Sequence, residues 1–231
     1  MRTLRVTGTF RRVVDGVDTE GDFEVFIELP DKYLRSEKTG TPGQPSTETI
    51  EALVGTEVHD IGLGSGADPA AQRRARQAEL SRLLLMWFLK SDVPPAWVGI
   101  AESPDGKADV LEARYADDRP TRLFLESKTH MPLMMQWEAA PAVGGGRGQR
   151  GAGRRGGGGG GRGAAPDAAG ARQGGPPPLD TFDMTFSDHR EVNGIRLPHV
   201  ITRGTNGKTT ERWTVSRYRI NQILGADTFT R

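Results

Sequence analysis

Apolar and polar residues alternate with a period of two along most of this chain, and this pattern limits the fold more than any other feature. In residues 22–29, Phe23, Val25 and Ile27 fall on one side, and acidic residues fall on the other. Such alternation is typical of strands with one buried face. It recurs in residues 3–14, 22–29, 31–38, 97–102, 107–116, 119–126, 131–139, 180–188, 194–203 and 208–220.

Short turns connect many of these segments. PDGK, DDRP, SKTH and TNGK each separate two alternating runs by only a few residues. Links of this length join antiparallel neighbours, because parallel strands need long crossovers. Residues 15–22 (DGVDTEGD) and 39–48 (TGTPGQPSTE) are predicted to be a turn and a loop. We therefore predict one curved antiparallel meander of about ten strands.

One segment, residues 69–91, has helical spacing instead. Pro69 suits the first position of a helix, and the prolines of SDVPP end it. The apolar stripe of this helix is predicted to contain Leu80, Leu83, Leu84 and Trp87. Its polar cover is predicted to contain Arg73, Arg74, Arg76 and Glu79.

Residues 140–178 differ in composition from the rest of the chain. They are mostly Gly, Arg, Ala and Pro, with no aromatic residue. Such a segment lacks the apolar surface that would offset the entropy of ordering. We interpret it as a disordered loop inserted between two neighbouring strands, because the cost of loop closure grows only slowly with length. The chain is then a single domain, residues 1–231.

Charge and composition exclude several classes of function. The formal net charge is +1 and there are no cysteines, so thiol catalysis and thiolate metal sites are excluded. The chain shows no signal peptide and no transmembrane span, which predicts a cytoplasmic protein if Met1 is the true start. The alternation already begins at Leu4, however. A missing upstream export signal is therefore the alternative, and it would place the protein in the periplasm or cell envelope.

Two glycine-rich motifs suggest nucleotide or RNA binding, and their context argues against both. GLGSGA, residues 62–67, fits a dinucleotide fingerprint, but the preceding EVHDI is too polar for a buried parallel strand. The arginine–glycine tract 147–163 contains no aromatic residue on which bases could stack. We expect a glycine loop and a solvated segment, and no nucleic-acid partner.

The histidines and acids do not form a catalytic pattern. His189 and His199 could face each other across a hairpin and hold a metal, but isolated polar strand residues explain them better. No nucleophile elbow, zinc-protease motif or phosphate loop is present in the sequence. We expect no catalytic residues, no metal and no cofactor.

Residues 123–138, LFLESKTHMPLMMQWE, carry apolar side chains on both faces of a predicted hairpin. A period of two places Met131, Leu133, Met135 and Trp137 on one face, and Pro132 and Met134 on the other. One helix covers part of one face only. The remaining surface is either ordinary core or the wall of a cavity for an apolar ligand, to which flexible methionines are well suited.

Three segments share the turn motifs of their hairpins with a known family. They are ADVLEARYADDRPTRLFLESKTHMPLMMQWE (108–138), FSDHREVNGIRLPHVI (186–201) and TTERWTVSRYRINQIL (209–224). Together they resemble the outer-membrane lipoprotein carrier-like (LolA/LolB-like) superfamily. The resemblance covers residues 3–139 and 179–231. The N-terminal helix usual in that family and its export signal are missing from this sequence, and the 140–178 insertion lies outside its pattern.

The resemblance implies a mainly β (α+β) fold, in which a curved antiparallel sheet forms an incomplete barrel and helix 69–91 acts as the lid. It also implies non-enzymatic binding of a lipid, lipoprotein acyl chain or other amphiphile by a cell-envelope carrier or sensor. The expected cavity lining is Phe23, Val25, Leu84, Trp87, Leu133, Met135, Trp137 and Trp213. The alternative is a protein–protein interaction module of the envelope, without a small ligand.

Overall fold

In a computed structural model of the chain, a single antiparallel sheet contains all the strands of the described residues. The structure describes residues 1–14, 16–40, 45–62, 68–85, 94–104, 106–114, 119–139, 179–225 and 227–230. The predicted loop 140–178 and Trp87 lie outside these ranges.

Twelve strands and one helix make up the described fold. The strands are β1 (Thr3–Val14), β2 (Val17–Glu28), β3 (Lys32–Thr39), β4 (Thr47–Val54), β5 (Glu57–Ile61), β6 (Ala96–Ser103), β7 (Gly106–Arg114), β8 (Pro120–Glu126), β9 (Pro132–Ala139), β10 (Asp180–Val192), β11 (Ile195–Thr205) and β12 (Lys208–Ile220). The helix α1 spans Pro69–Leu83.

The strand order is β5-β4-β3-β2-β1-β12-β11-β10-β9-β8-β7-β6. Every neighbouring pair is antiparallel. The sheet does not close, since β5 and β6 are its two edges. The predicted fold class is therefore confirmed: an open antiparallel half-barrel with a helix on one face.

Strand β2 is longer than the sequence pattern predicted, and β4 and β5 are not among the predicted strands. Residues 17–22 belong to β2 and not to a turn, because the chain reverses tightly at Gly16, whose φ is 78°. Asp18, on the exposed end of β2, accepts a hydrogen bond of 2.9 Å from Arg11 on β1. Strand β4 likewise begins at Thr47, within the predicted loop. Both strand ends are mostly polar, so they show no alternation of apolar and polar residues from which a strand could be predicted.

Helix α1 begins where the sequence predicted and ends earlier. Asp68 is its N-cap and accepts a hydrogen bond of 3.1 Å from the Ala70 amide. The helix ends at Leu83, and Leu85 has a φ of 51°, which a continuing helix does not allow. Residues 86–93, at the end of the predicted helix, lie outside the described ranges.

The main core lies between α1 and the face of the sheet that α1 contacts, here called the inner face. Its buried members are Leu4, Val6, Phe10, Phe23, Val25, Ile27, Tyr33, Leu53, Leu80, Leu123, Met135, Met184, Phe186, Ile201, Trp213 and Val215. The rings of Phe23 and Trp213 pack 4.4 Å apart next to Gly8. A Cβ at Gly8 would lie 2.2 Å from the Thr214 carbonyl oxygen and 2.9 Å from the Phe23 ring, so this packing requires glycine.

A second, smaller core lies on the opposite, outer face of β2, β3 and β4. Phe229, from the C-terminal segment, packs there against Phe26, Leu34 and Ile50. The Lys32 ammonium lies 5.7 Å from the centre of the Phe229 ring. The sheet therefore has two covers: α1 on the inner face and the C-terminal segment on part of the outer face.

We predict that Phe229→Ala lowers the free energy of unfolding by about 3 kcal/mol, because it leaves a cavity over the outer face. Urea denaturation followed by circular dichroism measures this change. Ile223→Ala is the matched control in the same segment, since Ile223 is 94% exposed and its loss should change little. Equal effects of the two substitutions would show that the C-terminal segment does not pack as described.

Candidate functional site

One row of side chains crosses the inner face from the free edge of the sheet to its centre. Cross-strand partners place these residues side by side in the order Trp97, Leu111, Leu123, Met135, Met184, Arg203, Glu211 and Arg12. The row is apolar from β6 to β10 and ionic from β11 to β1. The inner face thus has an apolar half and an ionic half.

Glu211 is the centre of the ionic half. It accepts hydrogen bonds from Arg35, at 2.6 Å, and Arg12, at 2.7 Å, and Arg203 approaches it to 3.4 Å. Glu37 pairs with both Arg12 and Arg35. Burial opposes the charged form of Glu211, but the three guanidiniums outweigh it and lower its pKa to about 2.

Trp213 lies between two arginines of the ionic half. The guanidinium carbons of Arg35 and Arg203 are 4.5 Å and 4.7 Å from the centres of its rings. Burial works against the charge of Arg35, and Glu211 and Glu37 reverse this effect and raise its pKa. Trp213 is therefore part of a packed ionic core and not the wall of an open cavity.

Helix α1 adds its own charges to the ionic half. Glu79 pairs with Arg203, and Arg76 pairs with Glu51 at 3.2 Å and with Asp60 at 3.3 Å. The prediction that Arg76 and Glu79 belong to the polar cover is wrong. Opposite charges on the strands beneath the helix allow both side chains to be buried.

Arg82, in the last turn of α1, connects the helix to the apolar half. Its guanidinium carbon is 4.1 Å from the centre of the Trp137 ring, and Trp137 stacks on Phe182 at 5.8 Å. Burial lowers the pKa of Arg82 to about 10, although Glu79 opposes this effect. The contact anchors α1 at the boundary between the two halves.

The apolar half is less completely covered towards the β6 edge. Leu111, Leu125 and Trp137 are half-buried against the core. Beyond them, Trp97 is 61% exposed and Ile100 is 56% exposed. Their partners across the β6–β7 pair are Leu111 and Asp109, so both lie on the inner face. Large apolar side chains exposed next to one another are typical of an interaction surface.

The expected cavity residues have different positions. Four of them, Phe23, Val25, Met135 and Trp213, are together on the inner face and are fully covered by other side chains. Leu84 and Trp137 lie on the same face and are half-buried. Trp87 cannot be placed, because it lies outside the described residues.

Leu133 is not on the inner face, and its predicted position is wrong. A β-bulge shifts the register between β8 and β9, so that Phe124 pairs with Met134 and Leu125 with Pro132. The extra residue, Leu133, then shares the outer face with Met134. There it lines a groove of 340 Å³ with Ala101, Ala108, Phe124 and Met134.

Among the described residues, Nε of the partly buried Arg203 has no hydrogen-bond partner, and neither have three polar atoms on buried side chains of the ionic half. They are the Tyr33 hydroxyl, the Trp213 Nε1 and the Arg35 Nε, and all three side chains are buried. All three atoms carry a hydrogen that needs an acceptor. The sequence missed this network, although Arg35 and Glu37 lie in phase with Tyr33 on β3 and so share its face.

The two histidines considered above as a metal pair are not direct cross-strand partners. His199 is buried against the edge of the Tyr218 ring, 5.2 Å away, whereas His189 pairs across the hairpin with Pro198. Within the described residues, no group of three His, Asp or Glu side chains is arranged to bind a metal. The helix of the described part is also too short and too polar to cross a membrane.

Comparison with known proteins identifies the fold. No protein-family model matches the chain, and no curated protein matches its sequence. A LolA superfamily protein from Nitrosomonas europaea has a similar structure, with a TM-score of 0.55 and 11% identity, over 100% of this chain and 90% of that one. The chain has the fold of the LolA superfamily.

Two further solved structures are similar to this LolA-type fold. A DUF1329 family protein from Desulfovibrio piger has a TM-score of 0.50 and 10% identity, over 99% of this chain and 89% of that one. An outer membrane lipoprotein-sorting protein domain from Vibrio parahaemolyticus has a TM-score of 0.48 and 10% identity, over the same shares of the two chains. The first two of these three structures, with TM-scores of 0.55 and 0.50, confirm at the level of the fold the resemblance inferred from the hairpin motifs.

We predict that Glu211→Gln destabilises the protein by roughly 3 kcal/mol at neutral pH, because three guanidiniums lose a buried carboxylate. The pKa of Glu211 is lowered to about 2 in the folded protein. Its contribution is therefore complete above the unfolded pKa of about 4.3 and is lost as the pH falls towards 2. Urea denaturation between pH 7 and pH 2.5 measures both effects.

The wild type should lose stability over this acid range more steeply than Glu211→Gln. Glu20→Gln is the control, since Glu20 forms an exposed pair with Arg11 and should contribute less than about 1 kcal/mol. Parallel pH profiles for wild type and Glu211→Gln would contradict the assigned role of this carboxylate.

Proposed function

We propose that the protein binds a hydrophobic ligand, such as a lipid, a lipoprotein acyl chain or another amphiphile, on the apolar half of its inner face. It acts as a carrier or sensor in the cell envelope and does not catalyse a reaction. The LolA-type fold supports a binding role, and the decisive observation is the cross-strand row that ends at exposed Trp97. This row is continuously apolar over four strands, β6 to β9; Trp97 is exposed, Leu111 is partly buried, and Leu123 and Met135 are buried.

The size of this surface suits an acyl chain. Four neighbouring strands span three spacings, or roughly 14 Å, from Trp97 to Met135. Each apolar side chain that a ligand covers contributes about 1–2 kcal/mol, so Trp97, Ile100 and Leu111 together contribute about 3–6 kcal/mol, which corresponds to a dissociation constant between roughly 6 mM and 40 μM. The ligand would lie next to Trp137, and the deeper predicted residues, Met135 and Trp213, would be reached only if α1 moved away.

Helix α1 has the composition of a movable lid. Only Leu80 on it is fully buried, and Leu83 and Leu84 are partly buried. Its other anchors are Arg76, Glu79 and Arg82, whose contacts are ionic or aromatic. Lifting the helix therefore exposes only a few apolar side chains to water and not a continuous apolar stripe.

We predict that Trp97→Glu weakens binding of the neutral fluorescent probe phenylnaphthylamine about tenfold, because it places a charge on the apolar half of the inner face. Ile100→Glu should act in the same direction. Val17→Glu is the matched control, since Val17 is an equally exposed apolar residue, 63%, on a distant hairpin. Fluorescence titration, with displacement by unlabelled lipid, measures the affinity.

Leu133→Glu separates this site from the groove on the outer face, to which Leu133 belongs. If the proposal is correct, this variant binds the probe like wild type. Loss of binding in Leu133→Glu, with normal binding in Trp97→Glu, would move the ligand to the outer face. Absence of any bound amphiphile in lipid extracts of the purified protein, together with no probe binding, would rule the function out.

The β6 edge favours a second candidate function, a protein–protein interaction module. Strand β6 exposes Trp97, Val98 and Ile100 at one edge of the described sheet, whereas the other edge, β5, is short and charged. An extended peptide could add to β6 as a further strand. Hydrogen exchange distinguishes the two functions: a peptide partner would protect the β6 amides, and an amphiphile would leave them exchanging.

A further inference from the structure

We propose that the ligand carries an anionic group, a carboxylate or a phosphate, which takes the place of Glu79 on Arg203 in the ionic half of the inner face. This inference rests on the proposed function and extends it to the chemical class of the ligand. It concerns the boundary between the apolar half and the ionic half. The charged side chains involved, here called the charge cluster, are Arg12, Arg35, Arg203, Glu37, Glu79 and Glu211.

The charges of this cluster are balanced only while α1 is in place. The sheet supplies three guanidiniums, Arg12, Arg35 and Arg203, and two carboxylates, Glu37 and Glu211. The third carboxylate, Glu79, comes from α1 and pairs with Arg203. When α1 lifts, Arg203 loses its Glu79 partner next to the apolar half, whereas the carboxylates that lose Arg76, those of Glu51 and Asp60, lie on the strands at the other end of the sheet.

Glu79 occupies the position that a ligand's anionic group would take. Burial opposes its charge, yet Arg203 more than compensates and lowers the pKa of Glu79. Arg203 is the direct neighbour of Met184 in the cross-strand row, at the point where the row changes from apolar to ionic. An acyl chain lying over Leu111, Leu123 and Met135 would therefore place its polar end near Arg203.

The unpartnered polar atoms support an anion with several oxygens. The Tyr33 hydroxyl and the Trp213 Nε1 lack acceptors while Glu79 is bound, and so does the Arg35 Nε. Arg203 lies 4.7 Å from the Trp213 ring, and the charge of Glu79 acts on both Tyr33 and Arg35, so these groups belong to the neighbourhood of the Glu79 carboxylate. Glu79 is attached to α1, which limits where its carboxylate can lie. The carboxylate or phosphate of a bound ligand is not limited in this way and could accept hydrogen bonds from donors that Glu79 does not reach.

The test compares amphiphiles with the same chain and different polar ends: dodecanoate, dodecyl phosphate, dodecanol and dodecyltrimethylammonium, all below their micelle concentrations. Calorimetry and tryptophan fluorescence give each affinity. We expect wild type to bind both anions about tenfold more tightly than dodecanol, because a charge-assisted hydrogen bond to Arg203 is added. The cationic amphiphile should bind most weakly. A preference for one of the two anions assigns the head group to the carboxylate or the phosphate class.

Glu79→Gln should increase the ratio of anion affinity to dodecanol affinity by roughly a further tenfold, since it removes the internal competitor. Glu51→Gln is the matched control. It also removes one buried carboxylate and loosens α1, through loss of the Arg76 pair, but it does not expose Arg203. Its anion-to-alcohol ratio should equal that of wild type.

The double variant Glu79→Gln/Arg203→Gln removes the ion pair as a unit and should bind anion and alcohol alike. Circular dichroism and urea denaturation check that each variant is folded. Equal binding of dodecanoate, dodecyl phosphate and dodecanol by wild type and Glu79→Gln would overturn the head-group inference and leave the proposed function intact. Failure of all four amphiphiles to bind would overturn the proposed function itself.

Discussion

The pairing of Glu211 with three guanidiniums is the constraint on which the inner face depends. Arg12, Arg35 and Arg203 come from strands that are far apart in sequence and meet on one carboxylate of β12. Buried ion pairs seldom add much net stability, but breaking one of them is costly. We infer that the cluster selects the register of β1, β3, β11 and β12, since a slip of one residue would leave buried charges without partners. It also confines apolar ligand surface to the β6–β9 end of the sheet.

The sequence predicted those parts of the fold that depend on local chemistry. A period of two and short turns were enough for a curved antiparallel sheet, the family resemblance implied that the sheet is open, and Pro69 marked the start of the helix. The failures have non-local causes. The bulge that moves Leu133 to the outer face arises from the pairing of β8 with β9, and Glu79 is buried because Arg203 lies beneath it. Neither partner can be identified from spacing along the chain.

Coverage of the sheet is uneven, and the uncovered end is where a ligand surface remains. Around β2 to β4, α1 lies near the inner face and the C-terminal segment packs on the outer face through Phe229. Around β6 to β9, among the described residues, Trp97 and Ile100 remain exposed on one face and a groove at Leu133 remains on the other. Hydrophobic residues on both faces of the β8–β9 hairpin therefore serve both as core and as accessible surface.

The chemistry of the lid decides which ligands can open it. If only apolar contacts held α1 on the sheet, any sufficiently apolar molecule could displace it, because one apolar surface replaces another at little cost. Helix α1 is held in addition by Glu79 on Arg203, and lifting it leaves a buried guanidinium without its carboxylate. Only a ligand that supplies a new anion restores that balance. If the protein binds an amphiphile as we propose, charge at the boundary of the apolar half converts a non-selective apolar surface into a site that discriminates by head group.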